Sequence, residues 1–238
     1  MSQPSPRTGA TARPLPDGTS SAGKLITIEG GDGGGKTSQL LRLAARLEAA
    51  GKRVRTTREP GGTPTAEAVR QFLLSGAGKP LGPEGEAVLF AAARADHVSR
   101  LIRPALDRGE WVLCDRFIDS TRAYQGAAGV DSALIDALER ITVWPTEPAL
   151  TIILDVPVEL GLVRANARAA AENEAPDRFE QDAVSEQQRR RDIFREIAAN
   201  EPSRCVVIDA SRPETDVAEA IWRTVQDRFG LGEKPADA

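Results

Sequence analysis

Residues 30–37 form a glycine-rich segment that restricts the fold more than any other part of the chain. The segment matches the phosphate-binding pattern G-x-x-x-x-G-K-[ST]; an apolar run at 25–29 precedes it and leucines at helical spacing follow it. In such a loop, backbone N–H groups surround an anion, Lys36 reaches the β- and γ-phosphates, and Thr37 offers a hydroxyl to Mg²⁺. A merely flexible glycine-rich turn would not need this strand and helix. The sequence therefore predicts a P-loop in an α/β sheet, with these ATP-binding residues: Gly30, Gly31, Asp32, Gly33, Gly34, Gly35, Lys36 and Thr37.

Apolar runs alternate with helical repeats along the rest of the chain. Several runs are continuous and rich in β-branched residues, as expected for parallel strands covered by helices on both faces. This order predicts a doubly wound, five-stranded parallel sheet flanked by helices. The predicted strands cover residues 25–29, 54–57, 111–115, 150–156 and 205–209. The predicted helices are one that follows the P-loop and ends at Gly51, and others over 65–74, 84–108, 131–141, 158–168, 183–199 and 214–229.

The length and composition of the chain favour one domain. With 238 residues, of which 40% are hydrophobic, the chain can bury a single sizeable core. Residues 1–22 are rich in Pro, Ser, Thr and Gly, and we expect a disordered tail there. A transit peptide is the weaker interpretation, because the prolines oppose an amphipathic helix. We therefore expect one P-loop domain over 23–230 and a C-terminal tail over 231–238.

The charge and the cysteines exclude several classes of protein. The net charge is −4, so no broad basic field exists to displace counterions from a nucleic acid. Residues 1–22 contain no apolar run long enough for a signal peptide or a membrane span. Cys114 and Cys205 lie inside strand candidates, which favours buried thiols over a disulfide or a metal pair. We expect a reducing, cytoplasmic compartment and neither a nucleic-acid nor a membrane partner.

A P-loop alone does not distinguish a GTPase, an ATPase and a kinase. A small GTPase should carry an Asn-Lys-x-Asp segment, and none of the asparagines is followed by lysine. Asp115 and Arg116 stand at the end of a strand candidate, where open α/β sheets bind ligands. Asp115 can hold the Mg²⁺ shell with Thr37, partly through water, and Arg116 can clamp a phosphate. Taken alone, the Asp-Arg pair has a surface ion pair as its alternative interpretation.

Five ordered segments are similar to those of bacterial thymidylate kinases, and the similarity extends from Lys24 to the C-terminal helix. The segments at 57–63 and 115–126 contain the more diagnostic pieces, since many families share the P-loop. The five are IEGGDGGGKT at 28–37, TREPGGT at 57–63, LFAAAR at 89–94, DRFIDSTRAYQG at 115–126 and LDVP at 154–157.

The resemblance implies an enzyme that uses ATP and Mg²⁺ to phosphorylate dTMP to dTDP, a step of dTTP biosynthesis. It also implies a cytoplasmic homodimer, although the chain carries no independent interface signal. Two other interpretations stay open. Another nucleoside or nucleotide kinase of the P-loop class would change the groups around Phe90 and Gln125, and a non-catalytic nucleotide-binding switch could lose Asp115 without penalty.

The resemblance also assigns the residues that recognise the base and the sugar. Phe90 looks like the ring on which thymine stacks, and Arg94, one turn later, looks like the donor to a pyrimidine carbonyl. Gln125 stands where the family reads the pyrimidine edge, which an amide can do as donor and acceptor. Tyr124 stands where the family packs a tyrosine against the deoxyribose. Without the family, Phe90 would be interpreted as a core residue.

Arginines and acids complete the acceptor site that the resemblance implies. Arg70 and Arg116, with Arg58 as a further candidate, should hold the acceptor phosphate. Asp32 and Glu59 should face the sugar or the water shell of the metal. Arg70 alone would be interpreted as a solvated helix charge.

A mobile lid at about 164–178 should supply one more arginine. In thymidylate kinases with glycine at the position of Gly33, the lid is understood to bring the missing charge. Arg168 is the first candidate, followed by Arg164 and Arg178, and an exposed charged helix end is the alternative. Residues 208–213 occupy the place of the adenine-contacting loop.

The expected chemistry needs positioning and charge rather than a base. The second pKa of a phosphate monoester is about 6, so the attacking oxygen is largely deprotonated at neutral pH. His97 therefore receives no role, and we expect it on an exposed helix. Phe117 and Thr121 depart from common family residues, so hydrogen bonds through those positions are in doubt. The predicted catalytic residues are Lys36, Asp115, Arg116 and Arg168.

Overall fold

A parallel β-sheet forms the centre of the part of the protein that the structure describes. The structure, a computed structural model, describes residues 22–172, 179 and 182–231. Within them the strand order is β2-β3-β1-β4-β5, which confirms the predicted five-stranded parallel sheet. The strands are β1 (Leu25–Gly30), β2 (Val54–Arg58), β3 (Trp111–Asp115), β4 (Leu150–Asp155) and β5 (Cys205–Asp209).

Strand β1 lies at the centre of the sheet, between β3 and β4. Its register pairs Ile28 with Asp115 on one side and Gly30 with Leu154 on the other. The carboxyl ends of these three strands therefore meet at the start of the P-loop, so residues far apart in sequence reach one site.

Helices connect the strands, and most of them match the predicted ones. The predicted helix over 84–108 is interrupted by a π-helical turn at Val98–Ile102, just before Pro104, which has no N–H for a regular helical bond. A short 3₁₀ turn covers Lys79–Leu81. The α-helices are α1 (Lys36–Ala49), α2 (Pro64–Leu74), α3 (Gly82–His97), α4 (Arg103–Asp107), α5 (Ile118–Ala127), α6 (Ser132–Thr142), α7 (Val158–Glu172), α8 (Val184–Asn200) and α9 (Glu214–Phe229).

Helix α5 was not predicted from the sequence. Its buried positions include Asp119, Thr121 and Gln125 as well as Ile118 and Ala123, so the buried face is not apolar. A search for hydrophobic periodicity therefore misses it. This helix carries Tyr124 and Gln125 of the predicted acceptor site.

The two faces of the sheet are covered by different helices. Leucines of α1 and apolar residues of α9 pack on one face, and a second apolar cluster from α4, the π turn and the start of α5 packs on the other. Cys114 and Cys205 are buried free thiols, as predicted. Each described helix is too short or too polar to cross a lipid bilayer. The predicted tails, except residues 22 and 231, and Arg178 lie outside the described residues.

Candidate active site

The P-loop connects β1 to α1 and packs directly against the first turn of α7. Gly33 has a φ of 70°, and a Cβ atom there would stand 1.9 Å from the carbonyl oxygen of Gly161. A Cβ atom at Gly161 would in turn stand 2.6 Å from the carbonyl oxygen of Asp32. Two backbones therefore touch at this point. Position 33 has no room for a side chain, basic or otherwise.

Lys36, the first residue of α1, holds its charge inside the loop. Its side chain is buried, and Nζ donates to the carbonyl oxygen of Gly31 at 2.8 Å. Burial, followed by the nearby Arg116 charge, lowers the pKa of the Lys36 ammonium to about 8. At pH 7 the group is still mostly charged, so an anion in the loop would meet a largely desolvated cation.

Thr37 and Asp115 place two oxygen ligands for a metal ion side by side next to the loop. The Thr37 hydroxyl donates to Oδ2 of Asp115 at 2.5 Å, which joins the start of α1 to the end of β3. Mg²⁺ prefers oxygen ligands and commonly binds through one or two protein groups, several waters and substrate phosphates. The described residues contain no cluster of three or more His, Cys, Asp or Glu side chains that could hold a metal ion without such help. The pair therefore fits a magnesium ion that is held jointly with a nucleotide.

Arg116 links the P-loop to α5. Its Nη2 donates to Oδ1 of Asp32 at 2.5 Å, and Nη1 donates to the carbonyl oxygen of Gly30 at 3.1 Å. Tyr124 donates from its hydroxyl to Oδ2 of Asp32 at 3.1 Å, and the Arg116 guanidinium lies 5.0 Å from the centre of the Tyr124 ring. The backbone of Arg116 has a φ of 67°, which is unusual for a residue with a side chain.

The charges in this group stabilise one another. Burial alone would raise the pKa of the Asp32 carboxyl, but Arg116 and Lys36 together hold that pKa below its usual value. Burial lowers the pKa of Arg116, yet Tyr124, Asp32 and other nearby acids raise it above its ordinary value. Asp32 and Arg116 are therefore a firmly ionised pair between the loop and the neighbouring cavity.

That cavity encloses about 570 Å³ of empty space, which includes solvent at its open side. It lies between the ends of β2 and β3 and the helices α2, α3 and α5. Its lining brings together eight of the nine residues predicted for the acceptor site: Asp32, Glu59, Arg70, Phe90, Arg94, Arg116, Tyr124 and Gln125.

Arg58 is the predicted acceptor residue outside this group. Its side chain is exposed and pairs with Glu67 at 3.2 Å on the neighbouring helix α2. Arg70, in contrast, lines the cavity and donates to the carbonyl oxygen of Pro60 at 3.0 Å. Of the two, Arg70 has the better position for a phosphate in the cavity.

Arg94 is buried in the cavity wall and held by three bonds. Its Nε donates to Glu59 at 2.6 Å, and Nη2 donates to the Phe117 carbonyl oxygen at 3.1 Å and to the Thr121 hydroxyl at 2.9 Å. These bonds do not use Nη1. Thr121 thus bonds to Arg94 through its hydroxyl group. Position 117 bonds to Arg94 through its backbone carbonyl, so a change of side chain there does not remove this bond.

His97 is completely buried, so the expectation that it lies on an exposed surface is wrong. The end of β2 and the loop after it cover this part of α3, and the ring forms hydrogen bonds to Thr57 and Glu59 there. The sequence did not indicate this burial, because the residue before His97 is the charged Asp96.

Aromatic rings surround the part of the cavity that contains Phe90. The Phe90 ring is half-buried, and its centre lies 6.4 Å from that of Phe179, which in turn lies 5.5 Å from the Tyr124 ring. Arg190 of α8 is buried with its guanidinium 4.4 Å from the centre of the Tyr124 ring. Phe179 and Arg190 were missed by the sequence analysis. Phe179 follows the basic lid residues, and Arg190 is hidden within a run of three arginines.

Glu29 was also missed, because it reads as the last residue of an apolar strand. Its carboxylate is completely buried and accepts from the Phe117 N–H at 2.7 Å and from the Ser120 hydroxyl at 2.6 Å. Ser120 in turn accepts from Arg116 at 3.2 Å. Burial, and next the nearby Asp119 charge, raise the pKa of Glu29 to about 7. The carboxylate therefore supports the turn that carries Arg116.

The lid arginines differ in their surroundings. Arg164 donates to the carbonyl oxygens of Ala210 at 2.7 Å and Ser211 at 3.3 Å, so it holds the loop after β5. Arg168 is exposed on α7 and does not belong to the described lining of the cavity. Arg164 is therefore engaged with the backbone of the loop after β5.

Known proteins match the chain over most of its length. The thymidylate kinase family model matches residues 28–221. A thymidylate kinase of Bradyrhizobium diazoefficiens is 54% identical over 212 residues, which cover 89% of this chain and 92% of that protein. A thymidylate kinase of Rhodopseudomonas palustris is 55% identical over 209 residues, 87% of this chain and 90% of the relative.

A solved structure supports the same relationship. The crystal structure of thymidylate kinase from Ehrlichia chaffeensis superposes with a TM-score of 0.69 at 36% identity, covering 86% of this chain and 99% of that one. With the P-loop, the paired carboxylate and the adjoining cavity in one site, these matches show that the chain belongs to the thymidylate kinase family.

Proposed function

We propose that this enzyme transfers the γ-phosphoryl group of ATP to dTMP across the Arg116–Asp32 pair. Membership of the family makes the chain a dTMP kinase with ATP as co-substrate, and supports neither another kinase nor a non-catalytic switch. The observation that carries the assignment of the site is the position of Arg116, which lines the cavity and donates to two P-loop groups, the carbonyl oxygen of Gly30 and the carboxylate of Asp32. The phosphates of the donor and the acceptor nucleotide would both lie next to this arginine.

The donor nucleotide is assigned to the P-loop. Residues Gly30 to Gly35 would surround the β-phosphate with backbone N–H groups, and Lys36 would exchange its bond to Gly31 for the phosphate oxygens. Thr37 and Asp115 would hold Mg²⁺, Asp115 partly through water. When bound, the ion would neutralise charge on the β- and γ-phosphates. The loop at 208–213, held by Arg164, would contact adenine.

The acceptor nucleotide is assigned to the cavity. Thymine would stack on Phe90, with Arg94 donating to a carbonyl and Gln125 reading the edge of the base. Tyr124 would pack against the deoxyribose. Arg70 and Arg116 would bind the phosphate. Asp32, which pairs with Arg116, and Glu59, which pairs with Arg94, would face the sugar or the water shell of the metal. Arg58 would act only from the rim, because Glu67 holds it there.

The reaction needs charge neutralisation and alignment. The acceptor phosphate is largely dianionic at neutral pH, so its oxygen can attack without a general base. Phosphoryl transfer spreads negative charge over the equatorial oxygens. Lys36, Arg116 and an arginine from α7, for which we propose Arg168, supply positive charge where it develops.

The decisive experiment is an ADP-release assay with ATP, Mg²⁺ and a panel of acceptors. We expect turnover with dTMP, a reduced rate with dUMP, which lacks the 5-methyl group, and the lowest rates with UMP, CMP and AMP. Omitting Mg²⁺ should abolish turnover. Equal rates with all five acceptors would contradict the assignment of Phe90, Arg94 and Gln125.

The remaining proposals concern the whole protein. We propose a single P-loop kinase domain over 23–230, a cytoplasmic location and a homodimer, without a nucleic-acid partner. The continuous sheet supports the single domain. The buried free thiols are compatible with a reducing compartment.

A further inference from the structure

His97 is the only histidine of the chain and lies behind the wall of the acceptor cavity. Its Nδ1 is 2.9 Å from Oε1 of Glu59, and its Nε2 is 2.7 Å from Oγ1 of Thr57. A carboxylate can only accept, so Nδ1 carries the hydrogen of that bond, and Nε2 forms the second hydrogen bond of the ring with the threonine hydroxyl. The ring is therefore fixed at both nitrogens.

The segment of residues 59–62 folds around this ring. Gly62 has a φ of 85°, and a Cβ atom there would stand 2.5 Å from Nε2 of His97. The imidazole fills the space that a side chain at position 62 would need. The second glycine of the Arg-Glu-Pro-Gly-Gly segment is therefore explained by the histidine that it contacts.

Glu59 connects the ring to the cavity. It is only 5% exposed and shares its two oxygens between His97 and Nε of Arg94, which is 2.6 Å away. With His97 in place, Oε1 is satisfied and Oε2 is left for the guanidinium. Without it, a buried oxygen would lack its donor, and the carboxylate would turn toward other N–H groups and move Arg94 with it.

We infer that His97 is a positioning residue for recognition of the acceptor base, acting through Glu59 on Arg94. It does not line the cavity, so its influence on a substrate must pass through these neighbours. The inference rests on the proposed function, in which Arg94 donates to a carbonyl of the pyrimidine. It predicts that His97 sets affinity for the acceptor and leaves the donor site unchanged.

Three substitutions separate the two bonds of the ring. The amide nitrogen of asparagine is bonded to Cγ, as Nδ1 is, so His97→Asn keeps a donor near Glu59. The amide of glutamine lies one bond further out, as Nε2 does, so His97→Gln reaches Thr57 instead. His97→Phe keeps a ring and removes both bonds. Arg100→Ala, a change at an exposed side chain on the following π turn, is the control.

We expect His97→Phe and His97→Gln to raise the KM for dTMP about tenfold and His97→Asn to raise it by no more than about threefold. The KM for ATP should stay at the parental value in each variant and in the control. If His97 had only a structural role, its substitution would lower the melting temperature and the fraction of active protein. The KM for dTMP would then not rise relative to the KM for ATP.

Parental KM values for dTMP in folded His97→Phe, or an equal rise of both KM values, would overturn the inference. If His97→Phe does not fold, the comparison of His97→Asn with His97→Gln decides, since equal KM values for dTMP in these two would also overturn it. An unmodified chain that fails to phosphorylate dTMP would instead contradict the proposed function.

Discussion

Lys36 and Asp32 are largely buried charged side chains of this site, and neighbouring charges influence the protonation state of each. Lys36 lies between the P-loop carbonyl of Gly31 and the acids around it, and Asp32 is kept ionised by Arg116 and Lys36. Glu29 is the exception, since its burial favours the neutral form. The charged groups of the site thus include one carboxyl, that of Glu29, that titrates near neutrality.

Replacing Lys36 by alanine should leave a folded protein with a kcat reduced by about a hundredfold or more, because a desolvated cation at the transferred phosphate is lost. An ADP-release assay measures the rate, and far-UV circular dichroism checks the fold. Lys79→Ala on the 3₁₀ turn is the control. A near-parental rate in Lys36→Ala would refute the P-loop assignment.

Replacing Glu29 by glutamine should change how stability depends on pH. The pKa of Glu29 is about 7 in the fold against an ordinary value of 4.5, so the folded state binds this proton more tightly than the unfolded state. Its contribution is complete below the ordinary pKa and is lost as pH rises through about 7.

Between about pH 5 and pH 8 the parent should therefore lose about 2.5 kcal/mol of unfolding free energy relative to Glu29→Gln. Urea titrations of both proteins at the two pH values measure this difference. The same pH dependence in both proteins would show that Glu29 is ionised throughout.

Polar contacts hold helix α5 in place. Asp119 is completely buried and accepts two bonds from Arg204, at 2.7 and 2.9 Å, and one from Arg122 at 3.2 Å. These bonds tie α5, with Tyr124 and Gln125, to the segment before β5. The position of Tyr124 and Gln125, which are predicted to belong to the acceptor site, therefore depends on an ion pair outside the cavity.

Arg204→Met should lower the unfolding free energy by about 3 kcal/mol, because Asp119 would keep a buried charge with one partner fewer. Chemical denaturation measures the loss. Arg223→Met, which breaks only an exposed pair with Glu219, should cost less than about 1 kcal/mol. Similar losses in the two variants would contradict a special role for the buried pair.

We expect Arg168 of helix α7 to stabilise mainly the transition state of phosphoryl transfer. Arg168→Ala should lower kcat more than it raises the KM for dTMP, since its contact should form as charge develops on the transferred group. Steady-state kinetics at saturating ATP separate the two parameters. Arg164→Ala should instead act on the KM for ATP, because Arg164 holds the loop after β5. A rise in the KM for dTMP without a fall in kcat would show that the role assigned to Arg168 is wrong.

The sequence predicted elements well where apolar periodicity marks them. The five strands were placed within one residue at either end, because continuous apolar runs require burial on both faces. Helix α5 could not be found in this way, since Asp119, Thr121 and Gln125 occupy its buried positions. Their burial is made favourable by partners distant in sequence, such as Arg204, which local patterns do not contain.

At the scale of the whole molecule, the strand order assembles the site. Placing β1 between β3 and β4 brings the P-loop, Asp115 and Arg116 together, and β2 adds Glu59 next to β3. Motifs and family resemblance predicted most of the residues that line the cavity proposed for the acceptor. They could not predict the contacts of His97, Phe179 and Arg190, because these depend on how α3, α5 and α8 meet in space.

The proposed homodimer leads to a prediction for the molecule in solution. Phe72 of α2 and Val88 of α3 are large apolar side chains exposed on the single chain, and a second copy could cover them. Sedimentation equilibrium should give the mass of two copies of the 25.4 kDa chain at micromolar concentration. A single-chain mass at all concentrations would contradict the homodimer.

The contact between Gly33 and Gly161 limits how this catalyst can change. Because the two backbones touch, an arginine in the loop would fit only after α7 has withdrawn from it. A withdrawn α7 would at the same time carry its own arginines away from the transferred phosphate. If Arg168 acts as proposed, an arginine at position 33 would therefore add a cation to the loop only by displacing the helix that carries the other one.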